Sequence, residues 1–218
     1  IISGIIIEPI QGEGGVIPGE MEFFKELREL CDKNDTLLIL DEVQSGVGRT
    51  GKMWGYENLG IEPDAFTLAK GLGGGHPIGA LLVNKKANIF NPGDHASTFG
   101  GNPFACRAAI TVLEEIKRRN LLQNVISRGN QIEEGLSQMA SDFPHIIKGR
   151  RGMGLLQGIV LQENSIDLKS VTSKAFDNGL LVVAAGNNVI RIVPPLTISK
   201  NETKQLLSKL YSIFKDFC

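Results

Sequence analysis

Short apolar runs alternate with helix-length amphipathic segments through the first 120 residues, and that alternation restricts what the chain can fold into. The β-branched run SGIIIEPI (3–10) precedes a predicted helix opened by Pro18, with Met21, Phe24, Leu27 and Leu30 at helical spacing, and then the strand TLLILD (36–41). DAFTLAK (64–70) and IGALLVN (78–84) read as two further buried strands. A helix is predicted from about Asn102 to Arg119, with Ala105, Ala108, Val112 and Ile116 on one face. Strands joined through helices call for a largely parallel sheet, so residues 1–120 are expected to belong to an α/β domain. Beyond Leu121 the rhythm changes. A helix (121–141) leads to GMGLLQGIVLQ, a helical DLKSVTSKAFDNG, the strands LLVVAA and VIRIV, and a last helix opened by a Ser199/Glu202 capping box. Residues 121–218 are therefore read as a smaller α+β domain.

Charge and cysteine usage exclude several kinds of partner. Lys and Arg (23) nearly cancel Asp and Glu (24), so no net field draws nucleic acid or an acidic membrane, and the cluster KGRR (148–151) reads as a solvated turn. Three widely spaced cysteines, Cys31, Cys106 and Cys218, without a C-x-x-C pair argue against a disulfide framework or a zinc site and for a reducing compartment, the cytosol by default. No apolar run approaches the ~18 residues a membrane span needs, and the opening IISGIIIEPI lacks the basic start of a signal peptide. The first residue is Ile, so the chain is expected to begin within a longer protein.

The stretch LLILDEVQSGVGRTG (37–51) drives aliphatic residues straight into Asp41 and Glu42, and a buried carboxylate is costly without a positive partner. GVGRTG fits a dinucleotide fingerprint, but EVQS separates it from the strand and no clear helix follows. GVGRTGKM departs from a phosphate loop, because Met53 stands where a metal-binding Ser or Thr is needed and the loop follows the acidic strand. The segment TLAKGLGGG (67–75) offers a better partner. A lone lysine at a strand end is ordinarily a surface residue, but consecutive strands ending in Asp41 and Lys70 put a carboxylate and an amine on one carboxyl edge of a parallel sheet, where ligands bind. That pair suits pyridoxal phosphate, with the lysine forming a Schiff base and the acid keeping the ring nitrogen protonated.

At these residues the chain resembles the class III (ornithine/acetylornithine) aminotransferases. EPIQGEGGVIP, LLILDEVQSGVGRTG, PDAFTLAKGLGGGHPIGA, HASTFGGNPFAC, RGMGLLQG and VIRIVPPL match the family in order. The resemblance implies a fold-type I transferase comprising part of the large parallel-sheet domain and the carboxy-terminal small domain. Lys70 looks like the Schiff-base lysine, Asp41 like the pyridinium partner, Gln44 like the residue bonding the phenolic oxygen, and Val43 like the residue packed on the ring. Thr98 matches a threonine reaching the cofactor phosphate of a neighbouring subunit, which implies a homodimer with shared sites; Glu13 and Arg191 match the family's substrate pair.

The same likeness implies amino transfer from N²-acetylornithine to 2-oxoglutarate, giving glutamate, in arginine biosynthesis. Ornithine, succinylornithine and 4-aminobutyrate are alternative donors, a racemase or mutase is a rival on the same scaffold, and an inactive binding or assembly domain is the non-enzyme reading. Family members are about twice as long, so the amino-terminal half, with its phosphate loop and ring-stacking aromatic, is expected to be missing and the fragment alone inactive.

Overall fold

The computed structural model describes residues 2–218. In chain order the elements are β1 (Gly4–Ile7), β2 (Ile10–Gln11), β3 (Ile17–Pro18), α1 (Met21–Lys33), β4 (Leu37–Asp41), β5 (Ala65–Leu68), β6 (Ala80–Val83), α2 (Pro103–Arg118) and α3 (Leu121–Asp142). There follow β7 (Ile147–Met153), β8 (Leu156–Leu161), α4 (Leu168–Asp177), β9 (Val183–Ala185), β10 (Val189–Ile192) and α5 (Lys200–Lys215). They form two compact units, one from the chain up to Pro9 with Gly19–Leu121, the other from Ile10–Pro18 with Leu122–Cys218. Among the described residues no helix is long and apolar enough to cross a membrane.

The first unit is built on a four-stranded sheet in the order β1-β4-β5-β6, with β1, β4 and β5 parallel and β6 antiparallel to β5. Leu38 and Leu40 of β4 are fully buried, while Leu37, Ile39 and Asp41 are half-buried on the other face. Helix α1 starts at Met21 and not at Pro18. Pro18 pairs with Ile10 in the β2–β3 ribbon, and Glu20 keeps an extended ψ of 139° that delays the helix. Proline is tolerated in so short a ribbon because an edge position asks little of its missing N–H. Of the predicted apolar face of α1, Phe24 is buried but Met21 and Leu30 are exposed. Helix α2 is capped by Asn102, whose Oδ1 accepts from Ala105 N at 2.9 Å, and Pro103 stands at the first helical position. Ala105, Ala109 and Ile116 are its buried residues, so Ala109 takes the place expected for Ala108.

Asp64 ties this unit together. Its carboxylate accepts from Leu38 N, Arg28 Nη1 and Asn84 Nδ2, each at 2.9 Å, joining β4 to α1 and to the end of β6. Burial alone would raise its pKa, but the three hydrogen bonds and the Arg28 charge outweigh it and hold the carboxyl below its usual range. A depressed folded-state pKa stabilises the fold above the unfolded value near pH 4, and this contribution is lost as pH falls through the folded value. Asp64→Ala, which leaves Arg28 with Asp32 as its remaining carboxylate and a buried strand N–H without its acceptor, is expected to cost on the order of 2 kcal/mol. Urea unfolding followed by circular dichroism would show it, and the gap between variant and wild type should close as the pH drops below about 4.

The second unit takes Ile10–Pro18 from the span that the sequence reading assigned to the first domain. The reason is apolar packing: Ile10 and Val16 are buried against Leu156 and Val189. Its sheet runs β7-β8-β10-β9, antiparallel throughout. Ile132 and Leu136 of α3, Val171 of α4, and Leu210 and Phe214 of α5 share one core with Ile159 of β8 and Ile190 of β10. KGRR, expected as a turn, lies within β7, with Arg150 paired to Glu133 and Arg151 donating to Gly15 O. The strand expected over LLVVAA is confined to Val183–Ala185. Helix α5 carries the capping box: Glu202 N donates to Ser199 Oγ at 3.2 Å and Ser199 N to Glu202 Oε2 at 2.8 Å.

Candidate active site

The two adjacent acids of LLILDE are sorted by the strand's alternation. Asp41 closes β4, opposite Thr67 of β5, and remains half-buried at the carboxyl edge of the sheet. Its Oδ1 accepts from Val43 N at 3.0 Å and from Thr67 Oγ1 at 3.3 Å. Both donors therefore orient one oxygen, and Oδ2 is left to accept a further bond. Glu42 turns the other way and is 1% exposed, accepting from Gly55 N at 2.6 Å and Tyr56 N at 2.7 Å. Burial pushes its pKa up, and the two backbone donors hold it partly back. This carboxylate caps the 3-10 turn Gly55–Asn58 and anchors the segment after Asp41, a role that was missed although strand alternation alone puts Glu42 opposite Asp41.

Lys70 stands three residues beyond Thr67, so it emerges from the same edge as Asp41. It opens the 3-10 turn Lys70–Gly73 and is exposed. Its φ of +41° is unusual for a residue with a side chain, and such a conformation persists only where the surroundings impose it. The glycines after it make the turn possible: Gly74 has φ +59° and would, with a Cβ, stand 2.9 Å from Val112 Cγ2 of α2. Val43 and Gln44 are half-buried in the turn that follows Asp41. Thr98 is exposed in the segment before α2, flanked by Phe99, which is 82% exposed.

A second group lies within the second unit. Arg191 of β10 donates through Nη1 to Glu13 Oε1 at 2.6 Å, the arginine side chain being 11% exposed and the glutamate 69%. Gly186 N donates to Glu13 O at 2.9 Å, and Arg151 Nε donates to Gly15 O at 2.6 Å. Arg151 had no role in the sequence reading, since a contact from β7 to a glycine carbonyl leaves no periodic trace. Among the described residues no group of three His, Cys, Asp or Glu side chains could hold a metal ion.

A mainly parallel sheet whose adjacent strands deliver an acid and a lysine to one edge is the arrangement of fold-type I pyridoxal-phosphate-dependent transferases. The chain belongs to the class III aminotransferases, whose family model matches residues 1–214. An acetylornithine aminotransferase of Prochlorococcus marinus subsp. pastoris is 72% identical over 214 residues, 98% of this chain and 52% of that protein. One of Nostoc sp. is 50% identical over 210 residues, 96% of this chain and 49% of its own. Among solved structures, an ornithine δ-aminotransferase of Plasmodium falciparum superposes with a TM-score of 0.93 at 33% identity, over 99% of this chain and 57% of that one. The N-acetylornithine aminotransferase of Stenotrophomonas maltophilia gives 0.88 at 36%, again over 99% and 57%. The chain thus spans about half the length of the curated relatives it matches.

Proposed function

We propose that the chain is the carboxy-terminal part of an aminotransferase that moves the δ-amino group of N²-acetylornithine to 2-oxoglutarate. The observation that carries this reading is the 72% identity to a relative of that name, spread over a chain whose Asp41 and Lys70 leave adjacent, paired strands at the same edge. The residues present fit the cofactor of the family. Asp41, with Oδ1 oriented by Val43 and Thr67, has Oδ2 to offer a ring N–H. Lys70 would hold the cofactor's aldehyde carbon, Gln44 its phenolic oxygen, Val43 its ring face, and Thr98 the phosphate at the site of a second copy. When bound, pyridoxal phosphate supplies an electron sink for the bond breaking at the amine-bearing carbon.

The chain's own residues supply the remaining chemistry. The Asp41 carboxylate holds a proton on the ring nitrogen, since a charge-assisted bond favours the charged form of its partner. Lys70 Nζ would take a proton from the amine-bearing carbon of the substrate as base and, as acid, return it to the carbon on the other side of the amine nitrogen. Arg191 grips a carboxylate of the acceptor, and Glu13 masks that arginine while the distal-amine donor is bound. The exposed position of Thr98 is compatible with its reaching the site of a second copy, which supports a homodimer with shared sites. The free thiols of Cys31, Cys106 and Cys218 go with a cytoplasmic setting.

The chain by itself is expected to be inactive, because residues upstream of it would complete the phosphate-binding part of the site. Adding the upstream half, fused or as a second chain, should restore cofactor absorbance and turnover. A panel of donors on the restored protein should give the highest kcat/KM with N²-acetylornithine. A higher value for ornithine, N²-succinylornithine or 4-aminobutyrate would replace the substrate, and full turnover by the 218-residue chain would overturn the fragment reading.

A further inference from the structure

We infer that Arg151 is a positioning residue for substrate choice: it fixes the backbone of the Glu13 loop, so that Glu13 leaves Arg191 only by rotating its own side chain. The inference rests on the reading of Glu13 and Arg191 as the substrate pair. The loop Gly12–Val16 is held at the carbonyl of Glu13 and again two residues on. Before the side chain can move, Gly186 N grips Glu13 O at 2.9 Å, and Gly186 (φ +57°) must be glycine there because a Cβ would stand 2.8 Å from Gly14 O. Two residues on, Arg151 Nε reaches Gly15 O at 2.6 Å, and its Nη2 lies where a Gly15 Cβ would come within 2.7 Å. The guanidinium therefore rests against the α-carbon of a glycine whose φ is +111°.

The next residue shows why a clamp is needed. Val16 has φ +56°, an outlier for a β-branched side chain, and is fully buried with Ile10, Leu156 and Val189. Strain of that kind persists where neighbours over-determine the backbone, and the charge-assisted bond to the preceding carbonyl is one such restraint. By contrast, the Glu13 side chain is 69% exposed while that of Arg191 is 11% exposed, so the glutamate is the member of the pair with room to turn. A fixed backbone with a solvent-exposed side chain gives two states, arginine masked or bare. A loosened backbone blurs them, leaving Arg191 open to a carboxylate when the distal-amine donor should be bound.

The test uses the full-length, cofactor-loaded enzyme and two readouts. In Arg151→Met the amides of residues 12–16 should exchange with deuterium roughly tenfold faster while those of α5 are unchanged. Single-turnover rates should shift roughly tenfold in favour of glutamate over N²-acetylornithine, toward the ratio shown by Glu13→Ala. Should the methionine variant not fold, Arg151→Lys, which keeps the charge but loses the planar fork, should show a smaller shift in the same direction. Unchanged exchange at 12–16 overturns the clamp. Faster exchange with an unchanged ratio, when Glu13→Ala does move the ratio, overturns the role in substrate choice. If Glu13→Ala itself leaves the ratio alone, the substrate-pair reading falls and the inference with it, a result distinguishable from a failed clamp by the exchange data.

Discussion

Lys70→Ala in the full-length protein is expected to abolish turnover while the cofactor stays bound without a covalent link. Two losses combine in this one change. The amine that anchors the cofactor is gone, and so is the group that carries the proton, a contribution typically worth 10²–10⁴ in rate by itself. No other lysine shares its position at the end of β5, three residues beyond the partner of Asp41. Borohydride treatment of the wild type should fix the cofactor to the peptide TLAKGLGGG (67–75), read by mass spectrometry. Label on any other lysine would reassign the role.

Asp41→Ala should be nearly as severe, lowering the rate by several orders of magnitude. A charge-assisted bond of this kind contributes roughly 1.5–3 kcal/mol to binding, but the larger effect is on reactivity, since an unprotonated ring is a poor electron sink. Asp41→Asn separates the two, because its amide keeps a hydrogen-bonding group beside Val43 N and Thr67 Oγ1 and loses the charge. Both variants should therefore fail in the half-reaction alike. A loss of only tenfold in that step would mean that another group protonates the ring.

The placement of Asp41 and Lys70 at one sheet edge was legible because Asp41 ends the apolar strand β4 and Lys70 follows β5 by two residues, each a charge that interrupts a pattern burial otherwise dictates. Helix α2 was legible from the helical spacing of its small and apolar residues, and its start coincides with the asparagine cap and following proline. Three features escaped for physical reasons. The strands β2 and β3 are two residues each, too short to show any period, and their attachment to Leu156 and Val189 is a packing choice made by distant sequence. KGRR looked solvated because charge was taken for exposure, yet Arg150 and Arg151 are half-buried with partners on α3 and in the Glu13 loop. Glu42 escaped as a capping group because its donors, Gly55 and Tyr56, stand 13 and 14 residues away in an irregular segment.

The excursion of Ile10–Pro18 into the second unit means that the chain passes between the two units three times, near Pro9, Pro18 and Leu121. Recombination between related genes at a single point near Leu121 would therefore not trade one whole folding unit for another. It would pair the Leu156 and Val189 surface of one parent with the Ile10 and Val16 of the other, and set Glu13 from one beside Arg191 from the other. The nine residues 10–18 and the stretch after residue 121 must be inherited together, so the substrate pair and the apolar contact that seats it form one heritable block despite lying far apart along the gene.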